Sequence, residues 1–516
     1  MNRGIGFWLS RRAELTPHWP ALAFEDRAWT YGEWNAEVQC VRHALREAGV
    51  SAGDRIAAVT MNEPEFLTLA FACWQSGVIF VPLNFRLSGP ELAYTLQDAG
   101  VSLILCGNEF LGTVEAIRGE LPVRRYVSVA PAPGWTSWRE FISGMPETGW
   151  AHPVRDDEVA ILMYTSGTTG RSKGAMLTHG NIFWNNVNCM HAFGLADDER
   201  TLVCAPLFHI GGLNVTPLYT VERGGTVYLL RSFDPGAVLD VVERHRINSM
   251  FGVPAMFLFM SQTEGFDRRD LSSLRLAICG GAPVPEPLIE LYSRRGVAFA
   301  QGYGLTETSP FCTVLPTREL ARKVGSAGVA AMYTEVRIVD GENRPAPPGT
   351  RGEIAVRGPN VMKGYWNRPE ATAEAIDAEG WFHTGDIGVE DAEGYFFILD
   401  RKKDMVITGG ENVYPAEVEA VIHQIEGVAD AGVVGLPDER WGERVVAVVV
   451  RKPGSALSAA EILAGCEGKL ARFKLPRQIE FTDVLPRNAQ GKILKRVLRD
   501  QLRTAPASVL SPAGKG

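Results

Sequence analysis

The chain has 516 residues, of which 46% are apolar and 22% are charged, and its formal net charge is −8. This length is too great for one compact core, so we expect two or more domains. The acidic balance excludes broad, non-specific binding of nucleic acid, which needs a basic face. An anionic ligand would have to be held by local cations.

The cysteines point to a reducing compartment, and the most apolar span does not predict a membrane crossing. Eight cysteines lie singly along the chain without a Cys-x-x-Cys pair, as is usual for buried thiols. The first residues lack the charged-then-apolar order of a signal peptide. Phe66 to Leu83 is the most apolar span, but Gln75-Ser76-Gly77 and Pro82 interrupt it. It therefore predicts a helix and a strand rather than a membrane crossing, and we expect a soluble, cytoplasmic protein.

Short apolar strands alternate with helices in the N-terminal part. Strands are predicted at Arg55–Val59, Val78–Val81 and Val101–Leu105, with helices at Pro64–Trp74 and Pro90–Asp98. This alternation predicts an α/β fold with largely parallel sheets.

The strand Val159–Met163 leads into Tyr164-Thr-Ser-Gly-Thr-Thr-Gly-Arg-Ser-Lys-Gly174. Small hydroxyl residues and glycines replace every bulky side chain until Lys173. Such a loop can bring backbone N–H groups, hydroxyls and one cation onto a polyphosphate. It is not a Walker loop, because its glycines fall at other offsets. The stretch predicts a phosphate-binding loop.

Two further strands end in small residues, at Gly280-Gly-Ala-Pro283 and Gln301-Gly-Tyr-Gly304. We interpret both as turns. Ligands in open α/β sheets bind at the carboxyl ends of strands. Each turn therefore either lines a ligand site or only connects two elements of the fold.

After about Val324 the sequence pattern consists of short strands separated by Gly/Pro turns, which predicts a β-rich subdomain. Five consecutive charged residues, Asp400–Asp404, mark the best candidate for a domain boundary. About a hundred residues of mixed helices and strands follow. The last dozen, rich in Ala, Pro, Ser and Gly, predict a disordered tail.

Six motifs in this order resemble those of the acyl-adenylate-forming superfamily, which includes acyl-CoA synthetases, peptide-synthetase adenylation domains and luciferases. The resemblance covers nearly the whole chain. The six motifs are Tyr164–Gly174, Tyr303-Gly-Leu-Thr-Glu307, Trp381-Phe-His-Thr-Gly-Asp386, Asp400-Arg401, Gly409-Gly-Glu-Asn-Val-Tyr-Pro415 and Pro486–Lys492.

The resemblance implies a fold and a domain plan. The fold class is α/β, with a large N-terminal domain over 1–399 made of stacked α/β sheets plus the β-rich subdomain. A small, mobile α+β C-terminal domain covers 400–503, and the disordered tail covers 504–516. The active site is expected between the two domains.

The resemblance also implies a two-step reaction. A carboxylate attacks the α-phosphorus of ATP, giving an acyl-adenylate and pyrophosphate, and the thiol of coenzyme A then takes the acyl group. ATP, Mg²⁺ and coenzyme A are the implied cofactors and substrates. Because one anion approaches another, catalysis should consist mostly of positioning and charge stabilisation.

Individual roles carry over to matching positions. Lys492, Glu307 and His209 are the implied catalytic residues, and Glu307 is the implied Mg²⁺ ligand. The implied nucleotide-binding residues are Thr165, Ser166, Gly167, Thr168, Thr169, Gly170, Lys173, Gly281, Ala282, Pro283, Gln301, Gly302, Tyr303, Gly304, Thr306, Asp386 and Arg401. Asp400 is the implied hinge between the two half-reactions. Gly409, Gly410 and Trp441 are implied to bind coenzyme A.

The acyl pocket is implied to include His209, Gly211, Val215 and Gly304. The aspartate of amino-acid-activating relatives is missing, which argues against an amino acid as the substrate. Acetate-specific relatives carry a tryptophan about where Gly304 stands, so a longer or aromatic acid is expected. An apolar wall at Gly211 and Val215 favours medium- or long-chain fatty acids over the alternative, a hydroxycinnamate such as ferulate or 4-coumarate.

Other classes stay open at this point. A luciferase-like oxygenase, or a ligase that loads a carrier protein, would share the adenylation step. The basic helix Lys492–Arg503 could dock on a membrane, although its apolar positions fit packing onto the small domain better. Small-molecule acid, ATP and coenzyme A are the expected partners, with no nucleic acid, and a homodimer is compatible with the sequence.

Overall fold

A computed structural model describes residues 4–150, 152–165, 172–194, 198–281, 284–402, 404–408, 411–487 and 493–504. For residues 401, 412 and 504 only the backbone is described. The chain divides into two compact units. Unit 1 comprises Met1–Arg337 and Ala355–Thr384, and unit 2 comprises Ile338–Ile354 and Gly385–Gly516.

The described strands are, in the first half of the chain, β1 (Pro20–Phe24), β2 (Arg27–Thr30), β3 (Arg55–Val59), β4 (Ile79–Pro82), β5 (Leu103–Cys106), β6 (Arg125–Ser128), β7 (Thr136–Ser137), β8 (Val159–Thr165), β9 (Lys173–Thr178), β10 (Arg200–Val203), β11 (Thr226–Leu229) and β12 (Ser249–Gly252). The later strands are β13 (Leu276–Cys279), β14 (Ala298–Gly304), β15 (Phe311–Leu315), β16 (Val329–Ala330), β17 (Glu335–Val339), β18 (Arg351–Arg357), β19 (Gly364–Tyr365), β20 (Phe382–Glu390), β21 (Phe396–Arg401), β22 (Val406–Thr408), β23 (Glu411–Val413), β24 (Val428–Asp438), β25 (Gly442–Arg451) and β26 (Gln478–Phe481).

The described α-helices are α1 (Phe7–Leu15), α2 (Tyr31–Glu47), α3 (Pro64–Trp74), α4 (Gly89–Ala99), α5 (Leu111–Ile117), α6 (Trp138–Ile142), α7 (His179–Phe193), α8 (Ile210–Asn214), α9 (Pro217–Arg223), α10 (Pro235–His245), α11 (Pro254–Ser261), α12 (Glu286–Ser293), α13 (Pro369–Ala375), α14 (Pro415–His423), α15 (Ala459–Cys466) and α16 (Lys495–Thr504). Short 3₁₀ turns occur at Asn108–Phe110, Arg118–Glu120, Phe266–Arg268, Thr306–Thr308, Thr317–Glu319 and Arg472–Lys474.

Unit 1 contains two large sheets. The described strands form one in the order β16-β15-β14-β13-β12-β10-β11-β1-β2 and another in the order β19-β9-β8-β4-β3-β5-β6-β7. Their central strands pair in parallel and read as unbroken apolar runs, because both faces are covered. The predicted stacked α/β sheets are confirmed.

Helices α2 and α3 pack in the core cluster that contains strands of both sheets. Helix α3 is apolar on every side, and all its residues except Glu65 are buried. A helix apolar all round is stable only inside a core. It is the apolar span that the sequence predicts as a helix rather than a membrane crossing.

The predicted β-rich region is a four-stranded sheet in the order β17-β18-β20-β21. Unit 2 also holds a five-stranded sheet in which β24 and β25 form a long antiparallel pair. The run Val445–Val449 in β25 alternates between two apolar clusters, one with α14 and α15 and the other with α16. Both faces are covered, so the strand is apolar throughout.

Two local features bear on the sequence predictions. The eight cysteines are all free thiols; seven are buried and Cys40 is half-buried, as predicted. The predicted turn Gln301–Gly304 is wrong, because these residues are the end of β14 and pair antiparallel with β15. No helix in the described ranges is long and apolar enough to cross a membrane.

Candidate active site

The predicted phosphate loop lies inside a β-hairpin. Strands β8 and β9 are antiparallel, and Thr165 stands opposite Lys173. The hairpin brings the first hydroxyl and the only lysine of the stretch to the same end of the pair. The following predicted site residues lie outside the described part of the chain: Ser166, Gly167, Thr168, Thr169, Gly170, Ala282, Pro283, Gly409, Gly410 and Lys492.

Glu307 lies at the mouth of this hairpin. It belongs to a 3₁₀ turn and its residue is 8% exposed. Its Oε1 accepts hydrogen bonds from the Thr165 hydroxyl at 3.3 Å and the Tyr365 hydroxyl at 2.9 Å. The Lys173 ammonium lies 5.1 Å from the centroid of the Tyr365 ring. The structure thus brings together Thr165, Lys173 and Glu307, which are far apart in sequence.

Backbone donors and acceptors hold the turn that carries Glu307. Its carbonyl accepts from the Met362 N–H at 2.8 Å. The Asn360 side chain donates to the carbonyl of Thr308 at 2.9 Å, and the Asn214 side chain donates to the carbonyl of Ser309. Buried carbonyls are satisfied in this way, and the carboxylate is fixed relative to the hairpin.

The sequence does not identify Tyr365, Asp98 or Arg368 as part of this region. Tyr365 reaches Glu307 because the two-residue strand β19 pairs with β9. The Tyr164 hydroxyl donates to Asp98 at 2.7 Å, and Arg368 forms an ion pair with the same carboxylate at 2.6 Å. Pairing over such sequence separations leaves no local pattern, so composition and periodicity do not reveal these residues.

The predicted adenine walls take two different forms. Gly281 has a φ of +83°, a left-handed value that favours glycine. The Gln301 side chain is buried and bridges two backbone groups, accepting from the Val284 N–H at 2.9 Å and donating to the Ser326 carbonyl at 2.8 Å. These bonds hold Val284, the residue that follows 282–283, in place. Gln301 therefore contacts the chain next to the predicted adenine wall through Val284.

Backbone fills the space beside Gly304. A Cβ placed there would lie 1.6 Å from the Pro310 carbonyl oxygen, and one on Gly302 would lie 2.1 Å from the Phe311 ring. A side chain at position 304 would therefore need the backbone to shift, and the place of Gly304 in the acyl pocket stays a prediction. Tyr303, opposite Thr313 in the ladder, and Thr306, in the 3₁₀ turn, are half-buried.

His209 precedes α8 and is half-buried among aromatic rings. Its ring centroid is 4.3 Å from that of Phe208, which meets Phe85 edge-on at 5.2 Å. Burial, aided by the Arg86 charge, lowers the pKa of His209 to about 4, so the imidazole is neutral at pH 7.

The other predicted pocket residues lie close to His209 in sequence. A Cβ on Gly211 would lie 2.7 Å from the Phe251 ring, so this glycine admits that ring. Val215 is completely buried in a cluster with Tyr219, Ile278 and Phe311. Val215 therefore packs in the core, and an aromatic ring rather than an aliphatic wall covers Gly211.

Asp386 and Arg401 are direct partners in unit 2. They stand opposite each other in the β20–β21 ladder, and Asp386 is 3% exposed. The neighbouring Gly385 has a φ of +70°, and its N–H donates to Glu353 at 3.0 Å. Lys402 also donates to Glu353, at 3.0 Å. Two motifs that the sequence presents separately therefore meet at one end of the β20–β21 ladder.

Asp400 and Trp441 are also in unit 2. One Asp400 oxygen accepts from the Ala416 N–H at 2.7 Å, at the start of α14. The Trp441 ring is half-buried, and the guanidinium carbons of Arg440 and Arg477 lie 5.0 Å and 4.6 Å from its centroid. An aromatic face with two cations is suited to an anionic, aromatic ligand.

Two stacked α/β sheets around a hydroxyl- and glycine-rich hairpin, with a small α+β unit, are the architecture of enzymes that form acyl-adenylates. The chain belongs to the AMP-binding enzyme family: the model of the AMP-binding enzyme matches residues 9–366, and that of its C-terminal domain matches residues 417–492. It is an AMP-forming acyl-CoA ligase that consumes ATP and coenzyme A.

Three curated relatives cover most of the chain. Feruloyl-CoA synthase of Amycolatopsis sp. is 48% identical over 96% of this chain and 99% of its own. Indoleacetate–CoA ligase of Aromatoleum aromaticum is 42% identical over 95% and 97%. A long-chain-fatty-acid–CoA ligase of Mycobacterium tuberculosis is 37% identical over 97% and 98%.

A solved structure also matches over nearly the whole length. It is an o-succinylbenzoate coenzyme A synthetase from Bacillus subtilis in complex with ATP and magnesium ion. It is 35% identical, with a TM-score of 0.86 over 96% of this chain and 99% of its own. The family and these relatives all support the expected reaction class.

Proposed function

We propose that this ligase activates an aryl carboxylic acid of the hydroxycinnamate type. The observation that carries the proposal is the 48% identity with feruloyl-CoA synthase across nearly all of both chains, against 37% with the long-chain-fatty-acid ligase. The 42% identity with indoleacetate–CoA ligase, whose named substrate is also aromatic, points the same way. The fatty-acid preference expected from the sequence becomes the alternative.

The surroundings of His209 support an aryl substrate. Phe208 packs against the imidazole and meets Phe85 edge-on, and Phe251 covers Gly211. Aromatic rings prefer edge-to-face or offset contacts with other rings, and small-molecule pockets are lined mostly by such side chains. A flat propenoate-linked ring fits that lining better than a flexible chain, which loses more conformational freedom on binding.

The two arguments for a fatty acid are weaker in the folded chain. The Pro310 carbonyl occupies the place of a Cβ on Gly304, and Val215 is completely buried. The preference for a fatty acid depends on an open, apolar wall at these residues, which stays a prediction.

In the first half-reaction, the hairpin between Thr165 and Lys173 is proposed to hold the phosphates of ATP. Lys173 places one positive charge where the polyphosphate brings several negative ones. Lys492 is proposed to reach the α-phosphate and the substrate carboxylate. Asp386 and Arg401 would hold the ribose, and the walls at Gly281 and Tyr303 would flank the adenine. These groups align two anions and offset the charge that develops at phosphorus.

The chain around Glu307 fits a magnesium site. Oε1 is engaged by Thr165 and Tyr365, while Oε2 accepts no hydrogen bond from the described residues. Within those residues there is also no cluster of three acidic, histidine or cysteine side chains that could hold a metal. Mg²⁺ is normally held by one or two carboxylates plus substrate phosphates. When bound, it would neutralise phosphate charge.

In the second half-reaction, the predicted mobile domain 400–503 is proposed to turn about Asp400, its N-terminal residue. Gly409, Gly410 and Trp441 would then contact coenzyme A, with Arg440 and Arg477 near its phosphates. Reorienting one domain lets a single site carry out two reactions in sequence. A cytoplasmic location and a homodimer stay predictions.

Substrate specificity tests the proposal directly. We measure kcat/KM for CoA-thioester formation with ferulate, 4-coumarate, cinnamate, octanoate and palmitate. The hydroxycinnamates should exceed octanoate by about a hundredfold, the discrimination that a polar or aromatic site achieves against a mismatched acid. The variant Phe251→Leu should lose about three- to tenfold on cinnamate, the worth of an aromatic pair, and little on octanoate. A preference for octanoate or palmitate would overturn the aryl assignment.

A further inference from the structure

The C-terminal helix α16 presents one face to the rest of unit 2. Leu498 is 2% exposed and packs with Val434, Leu436, Val446, Val448 and Leu485. Lys495 and Arg499 lie beside it on the same face, one turn apart, since residues three and four apart are neighbours on a helix. Leu494 and Arg496 are exposed on other sides, and Arg503 is exposed at the end of the helix.

Lys495 joins this helix to two buried carboxylates. Its ammonium lies 3.1 Å from Glu419 and 3.7 Å from Asp400, and the three side chains are 11%, 15% and 6% exposed. Each carboxylate also accepts a backbone hydrogen bond, Asp400 from Ala416 and Glu419 from Val433, both at 2.7 Å. A buried cation with two fixed acceptors has little freedom to move.

Arg499 repeats the connection one turn later. Its guanidinium lies 3.1 Å from the Asp404 carboxylate, and these side chains are 21% and 10% exposed. The residues Asp400 and Asp404 bracket the charged segment at the predicted hinge. Two ion pairs therefore join α16 to both ends of that segment.

The described residues on either side of 488–492 are also held together. Arg487 and Ile493 form an antiparallel bridge, and the Leu494 N–H donates to the Pro486 carbonyl at 2.8 Å. Arg487 also forms an ion pair with Asp430. Lys492 thus precedes a residue that is pinned at the loop base, and it stands three residues before Lys495.

We propose that Lys495 and Arg499 are positioning residues for adenylation. By binding Asp400 and Asp404, they fix the start of α16, which follows Lys492 by three residues, relative to the hinge segment. The inference rests on the proposed function, which gives Lys492 the adenylation role. Misplacing a catalytic group by about 1 Å can cost about a hundredfold in rate. The two ion pairs would limit such a displacement of Lys492.

Charge rather than packing is the property that matters here. Apolar residues of similar volume often replace a buried ion pair without loss of stability. They do not select one geometry, whereas two ion pairs at fixed spacing do. Burial raises the pKa of Glu419 and the Lys495 charge opposes that rise, so removing the ammonium leaves two carboxyl groups that no longer hold the helix.

The experiment measures the two half-reactions separately in the full-length enzyme. Adenylation is followed by pyrophosphate release and by KM for ATP; thioester formation is followed from supplied acyl-adenylate and coenzyme A. The variants are Lys495→Met, Arg499→Met, the conservative Lys495→Arg, and the charge swap Asp404→Arg with Arg499→Asp. Arg496→Met, on the exposed side of the same helix, is the matched control, and Lys492→Ala is the reference for lost adenylation.

Lys495→Met and Arg499→Met should lower kcat for adenylation by about tenfold to a hundredfold, with KM for ATP and the thioester step changed by less than about twofold. Lys495→Arg and the charge swap should recover most of the rate, and Arg496→Met should match the wild type. If Lys495→Met fails to fold, Arg499→Met and the charge swap decide the matter.

Two results would overturn the positioning role. One is an equal fall of both half-reactions in a folded Arg499→Met enzyme; the other is full adenylation by it while Lys492→Ala has lost that step. Retained adenylation by Lys492→Ala would instead overturn the role proposed for Lys492, so the two failures are distinguishable.

Discussion

At the scale of single residues, Glu307 is the carboxylate that the hairpin and Tyr365 hold in place. We expect Glu307→Gln to raise the Mg²⁺ concentration for half-maximal adenylation by about tenfold and to lower the rate by about a hundredfold, because an amide cannot neutralise a hard cation. A Mg²⁺ titration of pyrophosphate release measures both. Glu290→Gln, at an exposed site on α12, is the control, and an unchanged titration for Glu307→Gln would remove it from the metal site.

His209 gives a prediction about pH and stability. Its folded pKa is lowered to about 4, and the unfolded pKa is about 6.5. The unfolded chain therefore takes up the proton first, so stability is full above about pH 6.5 and is lost as the pH falls towards 4.

The variant His209→Asn should accordingly lose less stability between pH 7.5 and 5, by up to about 2 kcal/mol. The measurement is the thermal midpoint at each pH. The variant should still lose some stability on acidification, because burial also lowers the pKa of His179 to about 3. The exposed His18→Asn serves as control, and identical pH profiles for wild type and His209→Asn would contradict the assignment.

At the scale of elements, the end of β14 is the part that the sequence misrepresents. Glycines at 302 and 304 indicate a turn when each is read alone. In the fold they allow β15 to return alongside, with Phe311 over Gly302 and Pro310 against Gly304. A close approach between strands requires glycine but leaves no signal distinct from a turn.

Gly304→Ala tests that close approach. A Cβ there would lie 1.6 Å from a backbone oxygen, so the strands must separate, at a cost of about 3 kcal/mol or more. Gly112→Ala is the matched control, since its Cβ would meet nothing within 4 Å on helix α5, and alanine there should stabilise by about 0.5 to 1 kcal/mol. Thermal unfolding distinguishes the two, and equal midpoints would show that β15 can move away freely.

Other elements are predictable from sequence because their signals are local. The helix Pro64–Trp74 and the strand Arg55–Val59 coincide with the prediction, since apolar runs bounded by Pro, Gly or charge have few alternative structures. The candidate site is predicted only in its motifs. Tyr365 at Glu307, and Lys495 at Asp400, depend on pairings between distant segments, which a single sequence does not encode in any short window.

At the scale of the whole molecule, one site serving two reactions predicts a kinetic pattern. With acid and ATP but no coenzyme A, pyrophosphate should appear as a burst of at most about one equivalent per enzyme, because the acyl-adenylate stays bound until a thiol takes the acyl group. Adding coenzyme A should give continuous turnover. Rapid-quench measurement of pyrophosphate tests this, and sustained release without the thiol would mean that the adenylate escapes.

The cysteines have a practical consequence for such measurements. Because seven of the eight thiols are buried and Cys40 is half-buried, the folded enzyme contributes little to a colorimetric count of free sulfhydryls. Consumption of coenzyme A, itself a thiol, can then be measured by adding a disulfide dye to samples quenched at successive times. Because the native thiols are shielded, a cysteine introduced at Arg496 is a selective attachment point for a fluorophore. The movement proposed for residues 400–503 could be tested there with a single substitution.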